Sequence, residues 1–385
     1  MPFKSYVRLL ILALVLLWAG TQIWLQASEL TDAPHIPITA DNVAELESVA
    51  YLEVETLSEP VILASGWFTL SPDGTRFAAV TRENEVAIFS HTDLVEHYGI
   101  TRNDEPATVL DARFSPDGTQ VASLHSDGTD FLIALHTLGG ETLEVEIPTR
   151  IDGEPVGIPV RVWIGEAEQE ADTEATDEIA VSLWLETMPS DGGRDYRVIH
   201  LPLDAEGQLI TEAMTSILSA PEQDTDAYVR IGRIPAPLAV TATQDGLVKL
   251  WDLETGSPRY TVQVDDVPVF GRVNENGGEQ LAWRDGSSLG LNVLDFVSGE
   301  NTRVTDLEGD YIQALMIAPS GDVVLAVHIG QQNNVVAWNV DTGERVELGD
   351  YHACTGVPDM VQLSQDGTTL VIGCDASFEI WQVVE

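Results

Sequence analysis

Basic residues are scarce in this chain of 385 residues, in which 18 lysines and arginines stand against 63 aspartates and glutamates. The formal net charge is −45, and Lys4 and Lys249 are the only lysines. Nucleic-acid binding needs a clustered basic surface, so this composition excludes a nucleic-acid partner. A high-salt habitat and export from the cell would each fit so acidic a surface, and export is the explanation favoured here.

The sequence motifs of common catalytic sites are also missing. There is no Gly-x-Ser-x-Gly, His-Glu-x-x-His or Cys-x-x-Cys, and no glycine-rich phosphate loop with a lysine. The sequence therefore predicts no catalytic residue, no cofactor and no metal ligand. One alternative stays open, a metal site on a shared rim formed by His328, His352, Asp350 and Asp310.

The first 27 residues have the layout of an export signal. Lys4 and Arg8 precede an apolar run from Leu9 to Gly20, and a small residue, Ala27, stands where cleavage would follow. Extended over residues 9–27, the run has about 19 residues, just enough to span a bilayer. Residues 1–27 are therefore either a cleaved signal peptide or a retained membrane anchor.

Charges on the two sides of this segment predict its orientation. Positive residues precede it, while Glu29 and Asp32 follow it, which places the rest of the chain outside the cytoplasm. The signal is typical of a bacterial exported protein. Residues 28–43 are assigned to a linker.

A tetrapeptide repeats along the remainder of the chain. Ser71-Pro72-Asp73-Gly74 recurs as Ser115-Pro116-Asp117-Gly118, and a variant ends in Asp366-Gly367. Each copy lies between two short apolar runs, which is typical of a β-hairpin. The hairpin glycines at 74, 118, 277, 321 and 367 are 44, 159, 44 and 46 residues apart. Since 159 is three times 53, two units with degenerate turns lie inside that gap.

A second series has the same period. Trp251-Asp252 is echoed at Leu294-Asp295, Trp338-Asn339 and Trp381-Gln382, in steps of 43, 44 and 43 residues. One unit therefore holds four short strands in about 44 residues, and the chain accommodates seven units. Four strands at this period indicate an all-β propeller with four-stranded antiparallel blades.

Two stretches carry a resemblance to a known family. "VTATQDGLVKLWDLETG" and "FSPDGTQVAS" resemble the third strand and first hairpin of WD-repeat propellers, and the resemblance covers about residues 45–385. The family's Gly-His dipeptide is missing from every unit, and only one true Trp-Asp is present. The resemblance implies a seven-bladed propeller over residues 44–385. It also implies that an N-terminal strand in Ala44–Glu55 completes the last blade, which otherwise ends at its third strand.

The repeated residues have structural roles in this interpretation. The large rings of Trp251, Trp338 and Trp381 fill the wedge between neighbouring blades, with ligand stacking as the alternative. The pair Trp251-Asp252 is predicted to secure one blade against the next and to touch no substrate.

At the hairpin tips the aspartate bonds its own backbone and the glycine supplies a positive φ, with calcium binding as the alternative. The positions are Asp73 with Gly74, Asp117 with Gly118, and Asp366 with Gly367.

Blade 3 contains an acidic insert at residues 166–178. It has seven acidic residues and no base, which is typical of a solvated loop. The alternatives are a docking arm for a basic partner and a weak cation-binding segment. In blade 7, Cys374 ends the second strand and Cys354 precedes the first. A hairpin brings Cys374 opposite about Asp359, so a disulfide with Cys354 is predicted, with free buried thiols as the alternative.

The sequence thus predicts an extracytoplasmic, non-catalytic binding scaffold. Its partner is an unidentified protein, peptide or glycan, membrane contact is limited to residues 9–27 if they are retained, and the propeller is expected to be a monomer. The alternative is a propeller-type hydrolase or lactonase with a metal or carboxylate site in the central funnel. A purely structural role at the cell surface is a third hypothesis.

Overall fold

The computed structural model describes residues 36–53, 63–90, 94–102, 105–151, 153–166, 181–188, 197–211, 214–219, 228–232, 238–242, 246–252, 255–265, 268–273, 279–285, 290–306, 311–329, 334–351, 360–374 and 377–384. The predicted signal segment at residues 1–27 lies outside these ranges, as does the acidic insert from residue 167 onward. No helix within the described ranges is long and apolar enough to cross a membrane.

The described residues of a compact unit, Pro37–Glu385, form seven four-stranded antiparallel sheets. The chain enters this unit through a 3-10 helix at Val43–Glu45 and a first strand, β1 (Leu46–Glu53), which belongs to the last blade. Blade 1 consists of β2 (Leu63–Leu70), β3 (Arg76–Thr81), β4 (Glu85–Ser90) and β5 (Leu94–Gly99). Blade 2 consists of β8 (Thr108–Phe114), β9 (Gln120–Ser126), β10 (Phe131–Thr137) and β11 (Thr142–Glu146). Blade 3 consists of β14 (Ile158–Glu166), β15 (Val181–Met188), β16 (Arg197–Leu203) and β17 (Thr215–Ser219).

Two short ribbons lie in the connections after blades 1 and 2. They are β6 (Thr101–Arg102) with β7 (Glu105–Pro106) and β12 (Arg150–Ile151) with β13 (Glu154–Pro155). Blade 4 consists of β18 (Tyr228–Gly232), β19 (Leu238–Ala242), β20 (Leu247–Asp252) and β21 (Ser257–Gln263), and blade 5 of β22 (Pro268–Val273), β23 (Gln280–Asp285), β24 (Gly290–Asp295) and β25 (Asn301–Asp306). Blade 6 consists of β26 (Tyr311–Ile317), β27 (Val323–Ile329), β28 (Asn334–Asn339) and β29 (Arg345–Asp350). Blade 7 consists of β30 (Met360–Leu363), β31 (Thr369–Cys374) and β32 (Ser377–Val383), together with β1.

The predicted closure of the ring is confirmed. Strand β1 pairs antiparallel with β32, from Leu46 opposite Val383 to Glu53 opposite Ser377, and so becomes the fourth strand of blade 7. Pairing occupies the open edge of β32, which would otherwise expose its backbone groups. The all-β, seven-bladed architecture is thereby confirmed as well.

The first strand of each blade is the innermost one. First strands contact each other between blades 1 and 2, 2 and 3, 4 and 5, 5 and 6, and 6 and 7, and β30 of blade 7 contacts β2 of blade 1 across the closure. Six clusters of buried apolar side chains among the described residues each join two neighbouring blades. Central strands are therefore covered on both faces, which explains continuously apolar sequences such as that of Asn334–Asn339, whose four middle residues are all buried.

Two turns of each blade lie at the same end, since strands alternate in direction. We call this end the hairpin-turn face; it carries the turn between strands 1 and 2 and the turn between strands 3 and 4. Backbone bonds join these turns within a blade, for example Leu138 N to Thr119 O at 3.0 Å and Val340 N to Asp322 O at 2.8 Å. The opposite face carries the turns between strands 2 and 3 and the connections between blades.

The N-terminal residues of this unit cross the hairpin-turn face of blades 6 and 7. Ile38 N donates to Gly367 O at 2.9 Å, and Ala40 N donates to Asp322 Oδ2 at 3.1 Å. Ile38 is fully buried and Val43 nearly so, in the cluster between these blades. Residues from Pro37 onward, within the segment assigned to a linker, are thus part of the propeller.

Candidate functional site

The repeated tetrapeptides form hydrogen-bonded turns on the hairpin-turn face. In blade 1, Ser71 Oγ donates to Asp73 Oδ1 at 2.6 Å, and Asp73 Oδ1 accepts from Thr75 N at 3.1 Å. Burial alone would raise the pKa of Asp73, but the bonds from Ser71 and Thr75 outweigh it and lower the pKa below its ordinary value. Gly74 supplies φ +69°.

The same bonds recur in blades 2 and 7. Asp117 accepts from Ser115 Oγ at 2.6 Å and from Thr119 N at 3.0 Å, and Asp366 accepts from Ser364 Oγ and Thr368 N at the same distances. The glycines have φ +71° and +73°, at Gly118 and Gly367. These carboxylates therefore bond within their own turns. No group of three or more His, Cys, Asp or Glu among the described residues could hold a metal ion.

Successive turns also touch one another. Asp366 N donates to Pro72 O at 3.1 Å, which joins the turns of blades 7 and 1. A Cβ built on Gly367 would lie 2.5 Å from Pro319 Cδ of blade 6, and one on Gly118 would lie 3.4 Å from Pro72 Cδ. The turns of blades 6, 7, 1 and 2 therefore form a continuous, closely packed arc.

The three tryptophans at the ends of third strands do not share one environment. Trp338 and Trp381 are 2% and 3% exposed and pack in the clusters between blades 5 and 6 and between blades 6 and 7. Trp251 is half-buried, and its Nε1 donates to Thr241 Oγ1 at 2.8 Å. Asp252 Oδ1 accepts from Thr255 N at 3.0 Å, which supports the turn that follows the strand.

Several predicted positions fall on residues whose side chains are not described. Cys354, Asp310 and His352 lie outside the described residues. Their proposed partners lie on strand backbone, since Cys374 ends β31, Asp350 ends β29 and His328 lies on β27. The disulfide and the rim metal site therefore stay predictions.

A buried polar network that the sequence analysis did not identify links blades 1 and 2. Ser123 Oγ lies 2.7 Å from His125 Nε2, and Tyr98 OH donates to Ser123 Oγ at 3.3 Å. Burial lowers the pKa of His125 to about 4 and raises that of Tyr98. A serine next to a histidine is the geometry of an activated nucleophile, but both side chains are fully buried, so the network joins blades.

A second polar contact between blades 1 and 2 lies next to this network and involves the fourth strand of blade 1. His136 of blade 2 stacks on Tyr98 with ring centroids 4.1 Å apart, and its Nε2 lies 3.2 Å from Glu96 Oε2 of blade 1. The carboxylate also accepts from Gly139 N at 3.1 Å. These contacts fix the fourth strand of blade 1 against the third strand of blade 2.

A charged cluster lies on the innermost strands of blades 2 and 3. Asp111 is fully buried, and its Oδ2 accepts from Val162 N of blade 3 at 2.8 Å. Arg113 Nη2 lies 3.4 Å from Asp111 Oδ1. Burial raises the pKa of Asp111 to about 6, although the charge of Arg113 opposes this rise.

The cluster extends to a second arginine. Arg161 Nη1 lies 3.3 Å from Glu186 Oε2, and the two residues are paired opposite each other on β14 and β15. The Glu186 side chain is 4% exposed, whereas that of Arg161 is 42% exposed. Sequence analysis missed this cluster; the signal that could have identified it is an arginine within a first strand of a chain with so few bases.

Comparison with known proteins finds solved structures of similar fold but no related sequence. No protein-family model matches the sequence, and no curated protein matches it. The chain is similar to a chain of the solved structure "Crystal Structure of Mitotic Checkpoint Complex", with 15% identity and a TM-score of 0.53 over 92% of this chain and 97% of that one. In all, 1559 chains of solved structures match, so the shared architecture is widespread. The chain therefore has the fold of a seven-bladed β-propeller.

Proposed function

We propose that the protein is a binding scaffold without catalytic activity, displayed outside a bacterial cell, whose hairpin-turn face holds a protein, peptide or glycan partner. The observation that carries this proposal is the closely packed arc of turns on that face. A rigid surface loses little conformational entropy on binding, which favours recognition.

Two contacts support the rigidity of this face. The bond from Asp366 N to Pro72 O joins the first and last blades, and the N-terminal residues bond across blades 6 and 7 through Ile38 and Ala40. The turns are therefore held by contacts between blades as well as by their own bonds. Variable loops on a fixed scaffold are a common site of recognition.

The solved structure to which the chain is similar supports a protein partner. That structure is of a complex, so a chain of this fold takes part in an assembly there. The similarity is one of fold. The chemistry of the partner of the present protein is therefore argued from its own surface charge.

Charge indicates the chemistry of the partner. The hairpin-turn face carries exposed acidic residues outside the tetrapeptides, among them Glu141 and Asp341. A net charge of −45 attracts basic surfaces and accelerates their association. The proposed partner therefore presents lysines and arginines.

The location follows from the N-terminal sequence. Lys4 and Arg8 before an apolar run, with acids after it, support export of the propeller. The partner is accordingly sought in the cell envelope.

A pull-down tests the proposal. The full-length protein is incubated with its own cell-envelope fraction at low salt, and a partner is expected to be retained and then released at high salt. The double variant Glu141→Lys, Asp341→Lys is expected to retain less of it. Matched reversals of exposed acids on the opposite face, Glu83→Lys and Glu154→Lys, serve as the control. Failure to retain any partner at either salt concentration would contradict the scaffold function.

A further inference from the structure

The contact region between blades 3 and 4 differs from the other six contact regions of the ring. We call the space between two neighbouring blades a seam. The six apolar clusters lie in the seams between blades 1 and 2, 2 and 3, 4 and 5, 5 and 6, 6 and 7, and 7 and 1. Contacts between strands join the same six pairs of blades, whereas no described strand of blade 3 makes a contact of that extent with a strand of blade 4. The described residues therefore leave this seam without the apolar packing of the others.

Blade 3 presents aromatic and polar side chains to this seam. Its apolar residues, such as Leu183 and Ile199, pack against blade 2, and the residues that alternate with them lie on the opposite face. Trp163, Trp184 and His200 form one row on that face, because Trp163 pairs with Trp184 and Trp184 with His200. The face towards blade 4 thus carries two indoles and an imidazole, where the clusters of the other seams are apolar.

Trp184 lies across this row. Its ring stacks on that of His200 with centroids 5.3 Å apart, and a Cβ built on Gly165 would lie 2.5 Å from Trp184 Cζ3. Trp184 is 4% exposed, and its Nε1 is buried without a hydrogen-bond partner among the described residues. Trp283 and Trp381 share this feature, but apolar clusters enclose them, whereas Trp184 adjoins the half-buried His200. An oxygen atom of a ligand in the seam would satisfy the indole donor.

Blade 4 presents Lys249 and Trp251 to the same seam. Both alternate along β20 with Val248 and Leu250, which pack against blade 5. The Trp251 indole is held against its own sheet by its bond to Thr241. Lys249 Nζ lies 5.4 Å from the centroid of the Trp251 ring, which is within the range of a cation–π interaction. The ammonium group and the indole are therefore adjacent parts of one surface.

Exposure on both sides indicates that solvent reaches this seam. Trp251 is half-buried, whereas Trp338 and Trp381, at the equivalent position in seams that contain apolar clusters, are 2% and 3% exposed. Lys249 beside it is half-buried too, and so is His200 on the third strand of blade 3. In blade 6, by contrast, the four middle residues of the third strand are all buried. The seam between blades 3 and 4 is therefore a cleft, open at its third strands.

Lys249 gives the cleft a positive charge. It is the only lysine after Lys4, and none of the described carboxylates forms an ion pair with it, although the chain has 63 acids. Arg161, on the same face of blade 3 as Trp163, is paired with Glu186 of its own blade at 3.3 Å. A partly desolvated ammonium group attracts a carboxylate strongly, because charge-assisted hydrogen bonds are stronger than neutral ones.

These groups match a saccharide that carries a carboxylate. One face of a pyranose ring consists of C–H groups, which pack on an indole, and its hydroxyls both donate and accept hydrogen bonds. His200 and Ser182 can do the same, since His200 Nε2 lies 3.0 Å from Ser182 Oγ and burial lowers the pKa of His200 below its ordinary value. A purely apolar ligand would leave these polar groups unpaired, at a cost in affinity.

We propose that the cleft between blades 3 and 4 binds an acidic saccharide, with a uronic acid ring on Trp251, its carboxylate at Lys249 and its hydroxyls towards Trp184 and His200. In this site Trp251 has the ligand-stacking role that the sequence left as its alternative. The cleft is separate from the hairpin-turn face and its basic partner, so the two proposals succeed or fail independently.

Isothermal titration calorimetry of the full-length protein tests the proposal. The probes are trigalacturonate, its methyl ester, which has the same rings without the charge, and hexaglutamate, which has carboxylates without the rings. At an ionic strength of about 0.15 M, trigalacturonate is expected to bind about tenfold or more tightly than either of the others, because it alone offers both groups. No binding of trigalacturonate, or binding of hexaglutamate that is equally tight, would overturn the proposal.

Variants locate the site. Lys249→Gln is expected to weaken the binding of trigalacturonate about tenfold and to leave that of the methyl ester unchanged, because one charge-assisted contact is lost. Trp251→Leu is expected to weaken the binding of both. Arg259→Gln is the matched control and leaves affinity unchanged, because Arg259 lies on β21 of the same blade but pairs with Glu279 of blade 5.

Lys249→Gln keeps the proposal falsifiable if Trp251→Leu fails to fold, since Lys249 is half-buried and forms no ion pair with a described residue. A preference for trigalacturonate over its methyl ester that persists unchanged in Lys249→Gln would overturn the proposal.

Discussion

Gly74 of blade 1 and Thr369 of blade 7 lie so close together that a Cβ built on Gly74 would be 2.5 Å from Thr369 Oγ1. Thr369 is fully buried, and its hydroxyl accepts from Gln382 Nε2 at 2.9 Å, so it is held in place. The glycine is therefore required for close approach of the two blades as well as for its positive φ. This contact lies at the junction where the ring closes.

Replacement of Gly74 by alanine tests the junction. The change adds backbone strain at φ +69° and forces Thr369 to move, so a loss of about 2–4 kcal/mol in the free energy of unfolding is expected. Gly118→Ala is the matched control, because it occupies the same tetrapeptide at φ +71° with 3.4 Å to its nearest atom. Only the backbone strain, about 1–2 kcal/mol, is expected there. Urea unfolding of both variants measures the difference, and equal losses would show that the junction is not tightly packed.

The N-terminal residues of the propeller unit are predicted to stabilise the closed ring. Ile38 is fully buried between blades 6 and 7, so Ile38→Ala is expected to cost about 2–4 kcal/mol. Val297→Ala, at a side chain that is 65% exposed, is expected to change stability by less than about 0.5 kcal/mol. Unfolding in urea gives both values. A cost for Ile38→Ala as small as that of the control would mean that the segment is not part of the fold.

Much of this fold could be predicted from local sequence. The turn at Ser71–Gly74 is specified by four adjacent residues, because the aspartate bonds its own backbone and the glycine adopts positive φ. Copies of such turns at a regular spacing determine the number of strands and blades. The pairing of β1 with β32 was predicted from the missing fourth strand of the last unit.

The charged cluster could not be predicted in the same way. Asp111 and Val162 are 51 residues apart and meet only because the first strands of successive blades are neighbours. The third-strand tryptophans show a related limit, since Trp338 is buried and Trp251 half-buried at equivalent sequence positions. Burial depends on the residues that the next blade supplies, which a single repeat does not contain.

Hydrogen bonding of Trp251 is predicted to stabilise blade 4. Thr241→Val removes the acceptor of the 2.8 Å bond while keeping the shape of the side chain, so a loss of about 1 kcal/mol is expected. Thr241→Ser keeps the hydroxyl and serves as the control, with most of the loss restored. Thermal unfolding followed by circular dichroism compares the two variants. If valine and serine were equally stable, the bond would contribute nothing.

Asp111 is predicted to make the protein more stable as the pH falls. Its pKa is raised from 3.8 to about 6 by burial, so the folded protein binds this proton more tightly than the unfolded chain. Ionisation therefore costs up to about 3 kcal/mol of stability at pH 7, and this cost disappears as the pH falls from about 6 to 4. Asp111→Asn keeps an acceptor for Val162 N and removes the titration.

The difference in unfolding free energy between the Asp111→Asn variant and the wild type isolates this effect, because the remaining acids are common to both. Measured in urea at pH 7 and pH 4, the advantage of the variant is expected to shrink by about 3 kcal/mol. Asp117→Asn is the control of opposite sign. Hydrogen bonds within its turn lower the pKa of Asp117, so the stability that ionised Asp117 gives the folded protein is lost at low pH. A difference independent of pH for Asp111→Asn would contradict the assignment.

His125 is predicted to have the opposite effect in the same pH range. Burial lowers its pKa from 6.5 to about 4, so the unfolded chain binds this proton more tightly than the folded protein. Its contribution to stability is complete above about pH 6.5 and is lost as the pH falls towards 4, a loss of about 3 kcal/mol. The imidazole resonances, followed by NMR in the folded protein, are expected to include that of His125 as one that stays neutral at pH 5. Replacement by glutamine should remove that resonance alone, and titration of the same resonance near pH 6.5 would show that His125 is not buried between blades 1 and 2.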